Sequence, residues 1–442
     1  MNQPSLKNNK GCLRPLLIGI IAITSLSYAI FYTIFINGRY NGKDNDYEKL
    51  AIQNVDVWLG EEEVLEDVTV VVEGQLITCV GKDCQTPAGA KVIDGSGKSV
   101  LPALVDMQLS YYALTAENKD KSAIGTLIDY VRQRPDVRKN LHEAGVTTIR
   151  SAADPMANIA TLKRQVVEWE MAGPRVYGVG PVFTAIGGHP ASTLFKDDEN
   201  LQEIYVNQVS DSNVARNLVL EVLENSMDGI KLVMDDMGGT VPKLSDGLAR
   251  AIISQAKRKN VWVSVRAGSN EDINKAISWG ANMVEGGSVE QLDSTTISLM
   301  KANNTLYLPL LFASSNVPEG MNSAWFEKPY GNENMKAVEA VGIKIGLGSN
   351  PSASTSFGSS LHREMEMMVE AGLSPHKVIR AATQDPLQLL KMDDQLGRIA
   401  EDYLAEFILI NGKPWENIAD IRKVDMVWQE GKWIVEHGQV RD

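Results

Sequence analysis

The chain has 442 residues, 44% hydrophobic and 22% charged, which is ordinary for a globular protein with a large core. A length of this order allows two or three domains, or one barrel of roughly 250 to 300 residues with an appendage. The net charge of -13, with no run of basic residues, argues against a nucleic-acid partner, because a phosphate-binding face needs clustered Lys and Arg.

Residues 1–14 carry Lys7, Lys10 and Arg14 and no acid. Pro15 to Ile36 then runs twenty-two residues without a charge, close to the ~20 that cross a bilayer as a helix. The positive-inside rule keeps residues 1–14 cytoplasmic as a tail and exports everything after Ile36. The expectation is a single-pass anchor in the inner (plasma) membrane, with the main domain periplasmic or extracellular. A cleaved signal peptide is the rival reading. Its apolar region would be shorter, and the only small-residue pattern, Ser27-Tyr28-Ala29, lies inside the apolar run. Residues 37–50 are polar and read as a linker.

Residues 51–101 consist of short β-rich runs punctuated by Gly74, Gly81, Gly95 and Gly97, as in a small antiparallel sheet. Cys79 and Cys84 fall here. In an oxidising compartment they can bridge across a short turn, and the alternative is two unpaired thiols.

From residue 102 to 394 short apolar strands alternate with amphipathic helical stretches, which predicts a parallel sheet built from βα units. Eight strands can be counted: ALVDMQL, VTTIR, RVYGV, GIKLVM, VWVSVR, NMVE, TLYLP and IKIGL. That is the count for a (β/α)8 TIM-like barrel. The helix from Leu361 to Gly372 puts Leu361, Met365, Met368 and Val369 on one face, which reads as core. Residues 395–442 return to strands, so the fold class is α/β: a barrel, a small composite β-sandwich domain formed by 51–101 with 395–442, and an N-terminal transmembrane helix.

Chemistry in such barrels sits at the C-terminal ends of the strands. The first strand lies within LPALVDMQLS, where Asp106, Gln108 and Ser110 alternate with apolar residues and share one face. The second ends in Arg150, the fourth carries Lys231, the fifth ends in Arg266, the sixth in Glu285-Gly286, and the eighth runs into Ser349-Asn350.

In this order the chain resembles the metal-dependent amidohydrolases, specifically their imidazolonepropionase-like and prolidase-like branch. LPALVDMQLS stands where that family has Pro-Gly-Leu-Ile-Asp-x-His-x-His. AGVTTIR, GPRVYGVGPVFTAIGGHP, GIKL, VRAGSNEDINKAISWGANMVEGG, IGLGSN and LGRIAEDYLAEFILI follow the family's later regions. The resemblance implies a binuclear zinc site at Gln108, Ser110, Lys231, Arg266, Gly286 and Asn350. Four of these positions hold histidine in the family and the last holds aspartate; only Lys231, the lysine that is carboxylated to bridge two metals, is kept.

Catalytic zinc needs about three deprotonated N, S or O ligands. Arg266 never loses its proton, Gly286 has no donor, and Gln108 and Ser110 are weak neutral donors. None of His142, His189, His362, His376 and His437 sits at a strand end where it could refill the site. The expectation is therefore an empty ancestral site, no cofactor, and a plain ammonium on Lys231. Asp106 is most simply a partner for Lys231 or Arg266, and His189, in the GGHP loop, either braces that loop or contacts a ligand.

Three functions compete. The first is a metal-free pseudoenzyme that binds or scaffolds, with a small anionic ligand or a protein as partner; Arg266 is then the expected anchor for the anion. The second is a hydrolase of C–N bonds, in a cyclic amide or a dipeptide, with a rebuilt site. It needs an activated water, and the only acids read at strand ends are Asp106 and Glu285. The third is Schiff-base chemistry at Lys231.

Overall fold

The computed structural model describes residues 49–112, 134–286, 290–315, 329–351 and 356–441. Pro15–Ile36 lies outside them, and among the described residues no helix is long and apolar enough to cross a membrane.

Eight strand positions form a parallel ring. Leu104–Leu109, Val146–Ser151 and Arg175–Gly178 pair side by side. Gly229–Met234, Trp262–Ala267, Met283–Glu285 and Leu306–Leu308 continue the series in register. Residues 343–350 close it. Their backbone bonds the seventh strand through Tyr307 N to Lys344 O (3.0 Å), and the first through Met107 N to Leu347 O (2.8 Å) and Asn350 N to Gln108 O (2.6 Å). Asp228 N to Gly178 O (2.8 Å) joins the third position to the fourth. These strands are apolar on both faces because helices cover the outside, as parallel sheets require. Gly348 permits the closure: a Cβ there would lie 2.3 Å from the Cβ of Gln108.

The third region holds more than the single expected strand. Gly180, at φ +65°, ends the run from Arg175, and Val182–Ala185 then pairs with Val206–Val209 on one side and, through Phe183 and Leu232, with Gly229–Met234 of the ring on the other.

Strands from both ends of the chain share one nine-stranded sheet, with Lys98–Pro102 paired antiparallel to Phe407–Asn411 at its centre. The expected sandwich is a correction here: the strands form one hydrogen-bonded sheet, not two. Val70 and Val72 near one end of the strand order share a buried cluster with Trp428 and Trp433 near the other, so the sheet curls over its own core. The opposite face of Phe407–Asn411 and Val424–Gln429 presents Ile408, Ile410 and Val427 to the barrel core. Cys79 and Cys84 are joined in a disulfide within this sheet.

At the junction of sheet and barrel lies a half-buried ion cluster. Arg175 Nη1 stands 3.2 Å from both oxygens of Glu406, Nη2 meets Glu430, and Thr147 Oγ1 donates to Glu406 at 2.6 Å. His362, inside its helix, is structural, with Nε2 2.8 Å from Ala144 O, and Met365 and Met368 are buried core. His376 bonds the Trp58 indole at 3.0 Å, tying the barrel to the sheet.

Candidate functional site

The strand ends bring Gln108, Arg150, Lys231, Ser264 and Glu285 into one contact network inside the ring. Glu285 is its centre. Its Oε1 accepts from Arg150 Nη2 at 2.6 Å and its Oε2 pairs with Lys231 Nζ at 2.7 Å. Arg150 also donates to Met107 O (2.9 Å), Gln108 Oε1 (3.1 Å) and Ser264 Oγ (2.5 Å), and it stacks 5.2 Å from the Trp262 ring. Lys231 reaches Gln108 Oε1 at 3.5 Å. One carboxylate and one amide thus tie together the first, second, fourth, fifth and sixth strands.

The electrostatics follow from burial. Burial works against the charge on Glu285, yet Arg150 and Lys231 outweigh it and hold the carboxyl down at about 2. Burial lowers Lys231, with Arg150 adding to the effect and Glu285 opposing it. The pair is ionised on its acid side and strained on its basic side.

Two expectations change at this point. Asp106 partners neither Lys231 nor Arg266. It accepts from Gln108 N (3.0 Å), Ser349 N (3.0 Å) and the Ser349 hydroxyl, so it clasps the first strand to the eighth. Burial pushes it up to about 6 against those donors. Arg266 is not an open anion anchor either, because its Nε lies 3.1 Å from Asp235 Oδ2. Asp235 follows directly on the fourth strand, in GIKLVMDD, and belongs among the acids at strand ends beside Asp106 and Glu285. Arg150 is the other residue underweighted by sequence: its guanidinium is fully buried inside the ring, and burial demands an acid, supplied by Glu285 from across the ring.

The remaining predicted positions fall where expected along the chain but outside the ion network. Ser110 is half-buried just past the first strand. Gly286, at φ +77°, bonds Leu308 O through its amide (2.9 Å). Asn350 contributes its backbone to the ring closure. His189 is buried, and its Nδ1 lies 2.6 Å from Thr193 Oγ1 within its own loop, the bracing arrangement.

The donor set does not fit a zinc centre. The lysine that would bridge two metals is paired with a carboxylate, the strand-5 position is a guanidinium, and the strand-6 position has no side chain. Among the described residues no group of three or more His, Cys, Asp or Glu is placed to hold a metal ion.

An eight-position parallel ring with a companion sheet and its polar network at the strand ends defines the α/β-barrel class of fold. Residues 136–434 match the amidohydrolase family, and the chain belongs to that family. Among curated proteins none matches it. Similar solved structures include a Xaa-Pro dipeptidase with bound methionine in its active site, at 24% identity and TM-score 0.74 over 87% of this chain and 99% of that one. The A. niger ochratoxinase follows at 20% identity and TM-score 0.73, covering 89% and 97%. A molinate hydrolase lies at 18% identity and TM-score 0.73, covering 88% and 95%. These likenesses speak to the fold.

Proposed function

We propose that this chain is a metal-free member of its family that serves as a binding or scaffold protein, a pseudoenzyme rather than a hydrolase. The observation that carries this reading is Lys231 Nζ at 2.7 Å from Glu285 Oε2, with Arg150 on the other oxygen. Ion pairs stand at strand ends where the family's site would need metal ligands, and the acids there, Glu285, Asp235 and Asp106, are each engaged by cations or hydrogen-bond donors. Zinc analysis of the purified protein, alongside assays with Xaa-Pro dipeptides and N-acyl amino acids, tests it. Negligible zinc and no hydrolysis above background are expected. Stoichiometric zinc, with hydrolysis that chelation abolishes, would overturn it.

The second reading, a hydrolase of C–N bonds with a rebuilt site, is favoured by family membership and by the hydrolases among its structural neighbours. The same assays decide between the two. Schiff-base chemistry at Lys231 has less support, since the ammonium is held by Glu285.

The proposal extends to location: Pro15–Ile36 anchors the chain in the inner membrane and the barrel is exported. The Cys79–Cys84 disulfide supports this, because disulfides persist in oxidising compartments. A C-terminal reporter active only in the cytoplasm would refute it.

A further inference from the structure

The ion network at the strand ends does not balance its charge. Arg150, Lys231 and Glu285 are each more than nine-tenths buried, and they set two cations against one carboxylate. The neighbouring acids are engaged elsewhere, Asp235 by Arg266 and Asp106 by Ser349 and two backbone amides. An uncompensated charge held out of water is costly, and a counter-ion relieves it.

The members of the network are not equally reachable. The Arg150 side chain is 0% exposed and that of Glu285 2%, whereas Lys231 keeps 9%. An ammonium has three N–H donors. Glu285 Oε2 takes one at 2.7 Å, and Gln108 Oε1 takes a second at 3.5 Å, the outer limit of a hydrogen bond. Among the described residues no third acceptor meets Lys231. Gln108 adds a neutral donor beside it. Its Oε1 faces Arg150 and Lys231, which turns its Nε2 amide away from both cations, and no acceptor among the described residues meets that amide.

We propose that the barrel mouth binds a small monoanionic carboxylate through the Lys231 ammonium and the Gln108 side-chain amide, with Arg266 outside the contact. Lys231 Nζ lies 3.5 Å from the oxygen of the same amide group, so the ammonium and the amide N–H can each donate to one oxygen of a planar carboxylate. A single anionic charge restores neutrality to the network, while a phosphate dianion overshoots it. The ligand class deepens the metal-free reading and rests on it.

The test is calorimetric titration of the full chain with sodium acetate and N-acetylglycine, with chloride and inorganic phosphate as controls for shape and charge. Zinc is assayed on the same sample. One carboxylate should bind per zinc-free chain, more tightly than chloride or phosphate. Lys231→Met should weaken it by roughly tenfold or more, the measure of one charge-assisted hydrogen bond. Arg266→Gln should weaken it by less than about threefold, since screening leaves only a distant charge effect. Glu285→Gln removes the internal counter-charge, so its thermal midpoint should rise more with added acetate than that of the wild type; this arm stands even if Lys231→Met does not fold. A zinc-free wild type that binds no carboxylate overturns this inference and leaves the metal-free reading intact, as does equal loss in Arg266→Gln and Lys231→Met. Stoichiometric zinc with carboxylate binding lost on chelation overturns both.

Discussion

The molecule contains two arginine–glutamate clusters of opposite balance, one half-buried and one buried. At the barrel–sheet junction one guanidinium, Arg175, serves two carboxylates, Glu406 and Glu430. At the strand ends one carboxylate, Glu285, serves two cations, Arg150 and Lys231. Excess acid can be relieved by a proton from solvent. Excess guanidinium cannot, because arginine keeps its proton at any accessible pH. The junction therefore carries its own safety valve in acid, whereas the strand-end cluster balances itself only where Lys231 gives up its proton and otherwise calls for an anion. Burial already shows this: Glu406 is pushed up by desolvation and by Glu430, while Glu285 is held far down.

The sharpest way to break the comparison is Glu285→Gln, which strands two buried cations and should lower stability by about 3–5 kcal/mol. Urea unfolding would measure it. The loss should ease only toward alkaline pH, as Lys231 gives up its proton; easing toward acid would contradict the assignment. Arg175→Leu is the mirror experiment. It should lower stability by about 3 kcal/mol at alkaline pH and by clearly less in acid, where Glu406, raised by burial, takes up a proton.

A smaller effect concerns the wild type. Burial raises Asp106 to about 6, and Asp154 and Glu364 each to about 7. A raised folded-state value means that this contribution is present in acid, below the unfolded value, and is lost as pH rises through about 6 to 7. Burial lowers His142 to about 3 and His362 to about 4, so their contribution is present above the unfolded value and lost as pH falls. The two sets oppose, but three carboxyls outnumber two histidines, so the stability from urea unfolding should peak near about pH 4 and fall by roughly 2–3 kcal/mol toward pH 7. A midpoint rising steadily from acid to alkaline conditions would contradict the buried carboxylates. The smallest effect is Cys84→Ser. It opens a short loop and should lower stability by about 2 kcal/mol or less, without touching either cluster.

Much of this architecture was legible in the sequence. Strand periodicity located all eight ring positions, because two-sided burial writes apolar runs that polar loops interrupt. That Arg266, Gly286 and Asn350 carry no ordinary zinc-ligand side chain is read from the residues themselves. What the sequence did not disclose was pairing. Asp106 and Lys231 both lie at strand ends, yet only their positions around the ring decide that Asp106 meets Ser349 and Lys231 meets Glu285. Arg150 was visible as a strand end, and its place in the network depends on reaching across to Glu285 on the sixth strand. Asp235 was simply overlooked, although it adjoins the fourth strand in the chain. The curl of the sheet was likewise hidden, since alternation fixes which face is buried and not what that face folds against.

The pairing of Lys98–Pro102 with Phe407–Asn411 bears on the order of assembly. During synthesis the first partner emerges long before the second, so its hydrogen-bonding edge waits unpaired while the whole barrel is made. Such an edge is a template for any passing strand. A chain halted before residue 405 would keep a nearly complete barrel and still expose that edge, so nascent and truncated forms should depend on a chaperone in a way the finished protein does not.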